Sequence, residues 1–309
     1  MHNHKVVPVT GDSGCVSTLC LVTQHEARDF SHEWFTALEV QNLHTHTRFD
    51  DGKDTVDELV RAALEAGLGT VGFSGHSHTP FDKTYCMSPE GTAQYKSDVL
   101  AAKKTYAGRI KVYLGLEWDM LSPRPSRKDG YDFIIGSCHY LEKDGQILDF
   151  DTDLSDFEKL LREKFGGSGL ALAKAYYRQL CGLCEKGPVD IAGHFDLAAK
   201  FSEDGRFFDP RGKEYLFCAE EAVEVLSKNV SVFEVNTGGM AKGYRNTPYP
   251  SLEILKIARR YGVPVTLSSD CHDKNMLLYG RKESLDLIRA AGYKAYVILT
   301  DSGWKEVPV

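Results

Sequence analysis

The pattern of apolar and polar positions changes near residue 39. Before that point the apolar residues follow neither a period of two nor one of 3.6. Residues 1–38 therefore read as an irregular N-terminal extension, partly disordered or packed on the outside. They include His2, His4, His25 and His32, none of them in a motif. From residue 39 to 309 short apolar runs alternate with amphipathic ones. The expected strands are EVQNLHTH, TVGFSGH, IKVYLGLEW, DFIIGSCHY, VDIAGH, SVFEVNT, VPVTLSSD and AYVILT.

The runs between them carry helix signals. In DTVDELVRAALEAGL, Thr55 is placed to cap a helix and Glu58 to complete a capping box; Val56, Leu59, Val60, Ala63 and Leu64 share one face. In PSLEILKIARRYGVP, Ser251 caps, Ile254, Leu255, Ile257 and Ala258 turn inward, and Gly262 ends the helix. Further helices are expected near 89–106, 155–164, 169–186, 211–229 and 282–291. Strand alternating with helix gives an α/β fold with a parallel sheet. So many units in one chain favour a closed barrel over an open sheet.

Composition narrows the function. The net charge of −7 makes the chain a poor general binder of nucleic acid, and none is expected as a partner. No apolar run approaches the ~20 residues of a membrane span, and no secretory signal is evident, so a cytoplasmic location is expected. Eight cysteines are scattered along the chain. Cys181 and Cys184 form a CxxC, but inside a helical pattern, where a buried or half-buried thiol pair is the expected reading.

The chemistry concentrates at strand ends. His44 and His46 end the first strand, His76 the second, Glu117 the third, His139 the fourth and His194 the fifth; Asp270 and His272 end the seventh. In a parallel barrel all these ends open on one face. His44 and His46 are two apart, as are Asp270 and His272, so each pair leaves one face of an extended strand. Imidazole and carboxylate without thiolate suit zinc, iron or manganese. With Asp51 included there are more donors than one ion can use, so two or three divalent transition metals are expected. Metals so placed clamp the oxygens of a phosphoester displacement. His78 is not counted as a ligand.

These stretches resemble the PHP family, named for polymerases and histidinol phosphatases. HTHTRFDDG matches its first motif with His44, His46 and Asp51; GFSGHSHTP supplies His76, GLEWDM supplies Glu117, IIGSCHYL supplies His139, IAGHFD supplies His194, and LSSDCHD supplies Asp270 and His272. The resemblance runs from about residue 42 to 273. It implies a distorted TIM-like (β/α)7 barrel, with residues 39–309 forming a metal-dependent phosphoesterase domain. Gly75 stands where many members carry Asp, and Asp50 adjoins Asp51, which is taken as the metal-facing acid.

Within the family the chain is most similar to the monofunctional histidinol-phosphate phosphatases, through GFSGHSHTPFDKTYCMSPEGT, GLEWDM, GSCHYL and EVNTGGMAKGYRNTPYPS. The implied reaction is hydrolysis of L-histidinol phosphate. Carried over by position, one metal would use His44, His46, Glu117 and Asp270. A second would share Glu117 and add His139 and His194, and a third would use Asp51, His76 and His272. Glu117, Asp51 and His272 are the expected catalytic residues: Glu117 beside the attacking hydroxide, Asp51 or His272 as proton source for the leaving alkoxide. Arg245, Lys242 and Lys200 are candidates for the phosphate, and Phe81, Tyr85 and Tyr244 for stacking on the substrate ring. The alternatives are a phosphatase of nucleotide phosphates, an exonuclease, or a metal-binding module without catalysis.

Overall fold

Seven strands pair in parallel in the order β1-β2-β3-β4-β7-β8-β9. They are β1 (Gln41–Asn42), β2 (Thr70–Phe73), β3 (Lys111–Asp119), β4 (Phe133–Ser137), β7 (Ile191–Ala192), β8 (Val232–Asn236) and β9 (Val265–Ser268); the hairpin strands β5 (Tyr140–Lys143) and β6 (Gln146–Asp149) fall between them in the chain. Beyond β1 and β9, Thr45 and Cys271 form a parallel bridge. There His46 N–H donates to the Cys271 carbonyl at 2.8 Å and Cys271 N–H to the His44 carbonyl at 3.0 Å. First and last strands thus meet, and the sheet is a nearly closed barrel. This computed structural model describes residues 39–309, and the expected extension over 1–38 lies outside the described residues.

The apolar run at 295–300 does not join the barrel. It forms β10 (Ala295–Thr300), paired antiparallel with β11 (Gly303–Pro308) across a tight turn. The Gln41 side chain donates to the Leu299 carbonyl at 3.0 Å and accepts from Leu299 N–H at 2.9 Å. Leu299 and Trp304 pack on Leu43, Tyr113, Phe133, Ile135 and Ile191. The hairpin therefore covers the barrel at the N-terminal side of β1, and the histidines after β1 stand at the other end. An open-ended apolar barrel would leave that cluster in water, which is why the chain's last apolar run is spent there.

Most helices follow their sequence signals. The helix Val56–Glu65 begins at Thr55, whose hydroxyl accepts from Glu58 N–H at 3.2 Å while the Glu58 carboxylate accepts from Thr55 N–H at 3.0 Å. Val56, Leu59, Val60 and Ala63 are buried and Leu64 partly so. The helix Leu252–Arg260 buries Ile254, Leu255, Ile257 and Ala258, and Gly262 follows it at φ +73°. Ser251 departs from expectation. It holds the cap position, but its hydroxyl makes no capping bond; its backbone N–H donates to Asp196 Oδ2 at 2.9 Å instead.

The expected helix over 169–186 breaks at Cys181 and Gly182 into Gly169–Leu180 and Leu183–Lys186. Cys181 and Cys184 are free and partly buried, and burial pushes the Cys184 thiol up to about 11. The β5–β6 hairpin was not expected. Its turn is Asp144-Gly145, both at positive φ, a pair suited to a two-residue hairpin.

Candidate metal centre

Glu117, buried within β3, is the hub of the C-terminal face. Its Oε2 lies 3.1 Å from His44 Nε2, 3.0 Å from His76 Nδ1 and 3.5 Å from His46 Nε2. Its Oε1 lies 2.9 Å from His194 Nε2 and 3.2 Å from His139 Nε2. Asp270 Oδ1 is 3.1 Å from His46 Nε2 and 3.6 Å from His44 Nε2. Asp51 Oδ2 is 3.1 Å from His272 Nε2, and its Oδ1 is 3.8 Å from His76 Nε2. All the residues anticipated as ligands therefore meet. Three sets bring their donor atoms within 4.8 Å of one another: His46, Asp51, His76 and His272; His44, His46 and Glu117; His76, Glu117 and His139. His46, His76 and Glu117 each belong to two of these sets, so the donors form one continuous cluster.

The donor chemistry fits cations. His44 Nε2, His46 Nε2 and Glu117 Oε2 are buried and have no hydrogen-bond partner among the described residues, although buried polar atoms are almost always paired. Their far nitrogens are occupied: His44 Nδ1 meets Glu234 Oε2 at 2.9 Å, and His46 Nδ1 meets Asp50 Oδ2 at 2.6 Å. A carboxylate on Nδ1 fixes the proton there and turns the Nε2 lone pair toward the cluster. Burial alone would push the Glu117 carboxyl up, but His44, His76 and His139 around it hold it well below the usual range. Desolvation would likewise raise half-buried Asp270, but His44, His46, His272 and Lys242 hold it well below the usual range. Both stay anionic, as a metal ligand must.

The backbone at Asp270 is not the extended strand the spacing suggested. Asp270 has φ +51°, a left-handed conformation uncommon for a side-chain-bearing residue. The turn is what brings its carboxylate back over the barrel. Gly238 faces it: a Cβ there would stand 2.5 Å from Asp270 Oδ2.

Three buttressing carboxylates complete the arrangement. Asp50, besides meeting His46, accepts from His76 N–H at 3.0 Å and Thr47 N–H at 2.8 Å, and lies against Gly75, where a Cβ would come 3.2 Å from its carboxylate. Asp51, not Asp50, is in the donor set. Asp119 Oδ2 accepts from His139 N–H at 2.7 Å and lies 3.4 Å from His139 Nδ1. Glu234 accepts from His194 N–H at 2.7 Å, Asn236 Nδ2 at 2.8 Å and the Ser268 hydroxyl at 2.6 Å, besides meeting His44. Sequence reading passed over Asp119 and Glu234. The available signal was a charge inside an apolar strand, plain for Glu234 in SVFEVNT. His78, whose Nδ1 is 3.2 Å from the Met87 carbonyl, is in none of the donor sets.

Beside the donors lies a cavity of about 100 Å³, walled by Asp151, Leu197, Lys200, Lys242, Tyr244 and Tyr249. Lys242 Nζ stands 3.4 Å from His272 Nε2. Lys200 also reaches the wall, but its Nζ donates to Asp151 Oδ1 and the Thr152 carbonyl, both at 2.9 Å, and lies 4.2 Å from the Tyr244 ring centre. Arg245 does not line the cavity. Its buried guanidinium is 3.5 Å from Asp196 Oδ1, 3.3 Å from the Pro248 carbonyl and 4.1 Å from the Tyr249 ring centre. It holds the loop behind the wall, where a charge is tolerable only when paired. Of the aromatic candidates Tyr244 lines the cavity; Tyr85 packs on His76 with ring centres 4.6 Å apart, and Phe81 packs on Tyr140.

A barrel with a histidine–carboxylate cluster at its C-terminal end is the architecture of a metal-dependent hydrolase. The PHP domain profile matches residues 42–238, and the chain belongs to the PHP family. It is 28% identical over 258 residues to a Deinococcus radiodurans protein named "Probable histidinol-phosphatase", covering 81% of this chain and 92% of that one. It is 25% identical over 272 residues to the histidinol-phosphatase of Bacillus subtilis, covering 81% of this chain and 99% of the relative. Two solved structures share the fold. One is a Listeria monocytogenes protein assigned to the histidinol phosphatases, with TM-score 0.67, 22% identity and coverage of 78% of this chain and 98% of that one. The other is the histidinol phosphate phosphatase of Lactococcus lactis, complexed with zinc, L-histidinol and phosphate, with TM-score 0.60, 18% identity and coverage of 86% and 98%. No helix among the described residues is long and apolar enough to cross a membrane.

Proposed function

We propose that this protein hydrolyses L-histidinol phosphate to L-histidinol and inorganic phosphate, using two or three divalent ions of zinc, iron or manganese. The observation that carries the proposal is the convergence of buried, otherwise unpartnered imidazole and carboxylate donors on one small cavity. The curated relatives that align over nearly their whole length, named as histidinol-phosphatases, support this choice of ester.

Phosphate monoesters hydrolyse extremely slowly unaided, so strong electrostatic help is needed. Bound divalent ions would supply a hydroxide at neutral pH and neutralise phosphoryl charge. His44, His46, Glu117 and Asp270 would hold one ion, Glu117 with His139 and His194 a second, and Asp51, His76 and His272 a third. Glu117, ionised and central, fixes the spacing of the whole set. Lys242 on the cavity wall takes a non-bridging phosphoryl oxygen. His272 and Asp51, 3.1 Å apart, orient a water that gives its proton to the leaving alkoxide and is left as hydroxide. Tyr244 offers a face for the imidazole ring.

The test is phosphate release by the purified, metal-loaded protein from three substrates: L-histidinol phosphate, a nucleoside 3′,5′-bisphosphate and a short single-stranded DNA. Turnover favouring histidinol phosphate is the expected result. Preference for either nucleic substrate, or no turnover on any, would overturn the proposal.

A further inference from the structure

The cavity wall holds a charge that phosphate chemistry alone does not call for. Among the described residues three carboxylates line it: Glu117, Asp270 and Asp151. The first two face the histidines. Asp151 stands apart, just beyond β6, with a side chain 29% exposed. Lys200 balances the charge of Asp151, but the carboxylate still presents an oxygen to a site that receives a phosphate dianion, a placement better suited to a substrate that brings a cation of its own.

The geometry of Asp151 suits such a cation. Lys200 Nζ, held also by the Thr152 carbonyl and stacked on Tyr244, takes Oδ1 at 2.9 Å. Oδ2 receives no hydrogen bond among the described residues. The lysine thus pins the carboxylate in one orientation while leaving one oxygen open, and a pinned acceptor binds a donor without further ordering cost. Lys242 lines the same cavity and flanks His272, placing it by the donor cluster.

We propose that Asp151 selects phosphate monoesters whose alcohol carries an ammonium group, accepting its N–H at Oδ2 while Lys200 holds Oδ1. This rests on the reading of the site as a phosphomonoesterase. The pinned carboxylate is a specificity residue and touches the substrate away from the reacting atoms.

The experiment compares kcat/KM of wild type and Asp151→Asn on L-histidinol phosphate and on its des-amino analogue, 3-(imidazol-4-yl)propyl phosphate. The ratio of the two values is taken on one preparation, so any loss of folded protein cancels. Wild type should prefer the amine-bearing ester, and Asp151→Asn should cut that preference by about tenfold or more, chiefly through KM. Asp151→Glu should recover part of it. An unchanged ratio, with both esters falling together, would overturn the assignment and leave Asp151 as a holder of Lys200. A wild type that hydrolyses neither ester would instead overturn the reading of the site, and this assignment with it.

Discussion

His44 and Glu234 meet at 2.9 Å on the side of the imidazole that faces away from the donor cluster, and both are fully buried. One carboxylate thereby steers a histidine after β1 and, through His194 N–H, the loop after β7. Removing its charge should loosen two ligand elements at once. Glu234→Gln is expected to weaken metal retention by about 10- to 100-fold, the usual scale for a lost outer partner. Chelator competition followed by elemental analysis measures it. Wild-type retention would show that His44 is oriented without Glu234.

Gly238 and Asp270 give a steric version of the same argument. A methyl group at 238 would sit 2.5 Å from Asp270 Oδ2, and Asp270 is already at φ +51° with little freedom to retreat. Gly238→Ala should displace that carboxylate, lowering both the bound metal per chain and turnover by about tenfold or more, while far-UV circular dichroism stays native. Full activity with full metal content would mean that the ligand moves aside at no cost.

Lys242 and Arg245 are three residues apart, yet their substitutions should separate cleanly. Lys242→Met should lower kcat/KM for histidinol phosphate by about 10- to 100-fold with metal content unchanged, because a charge-assisted contact to phosphate is lost. Arg245→Met should act on stability, because it strands the buried Asp196 carboxylate; breaking such a pair costs about 3–5 kcal/mol. Thermal denaturation of the two variants, set beside their kinetics, decides the matter. A phosphate-binding defect in Arg245→Met with unchanged melting would reverse these roles.

That contrast also shows what could be read from the chain. The alternation of strand and helix was legible because periods of two and 3.6 are local, and so was the meeting of the imidazole and carboxylate donors, because a parallel barrel sends every strand's end to one face. Arg245 looked like a phosphate contact because a basic residue after a strand is ambiguous in one dimension. Its partner, Asp196, lies 49 positions away and emerges only on folding. Glu234 and Asp119 were passed over for a related reason: an outer carboxylate is defined by the imidazole behind which it sits. The last apolar run, AYVILT, had the composition of a barrel strand. Its fate as part of a hairpin was decided by the turn that follows and by the apolar cluster it covers. The left-handed Asp270 defeated the period-two reading of Asp270 and His272 without moving either from the cluster.

The central claim is that the converging donors hold the ions on which hydrolysis depends. Its most direct test is to strip the protein with a chelator, return zinc, manganese or iron(II) stepwise, and follow bound metal and histidinol phosphate turnover on the same samples. Turnover should be absent in the stripped protein, rise with bound metal and level off at two or three ions per chain. Full turnover by protein in which elemental analysis finds no metal would contradict the account.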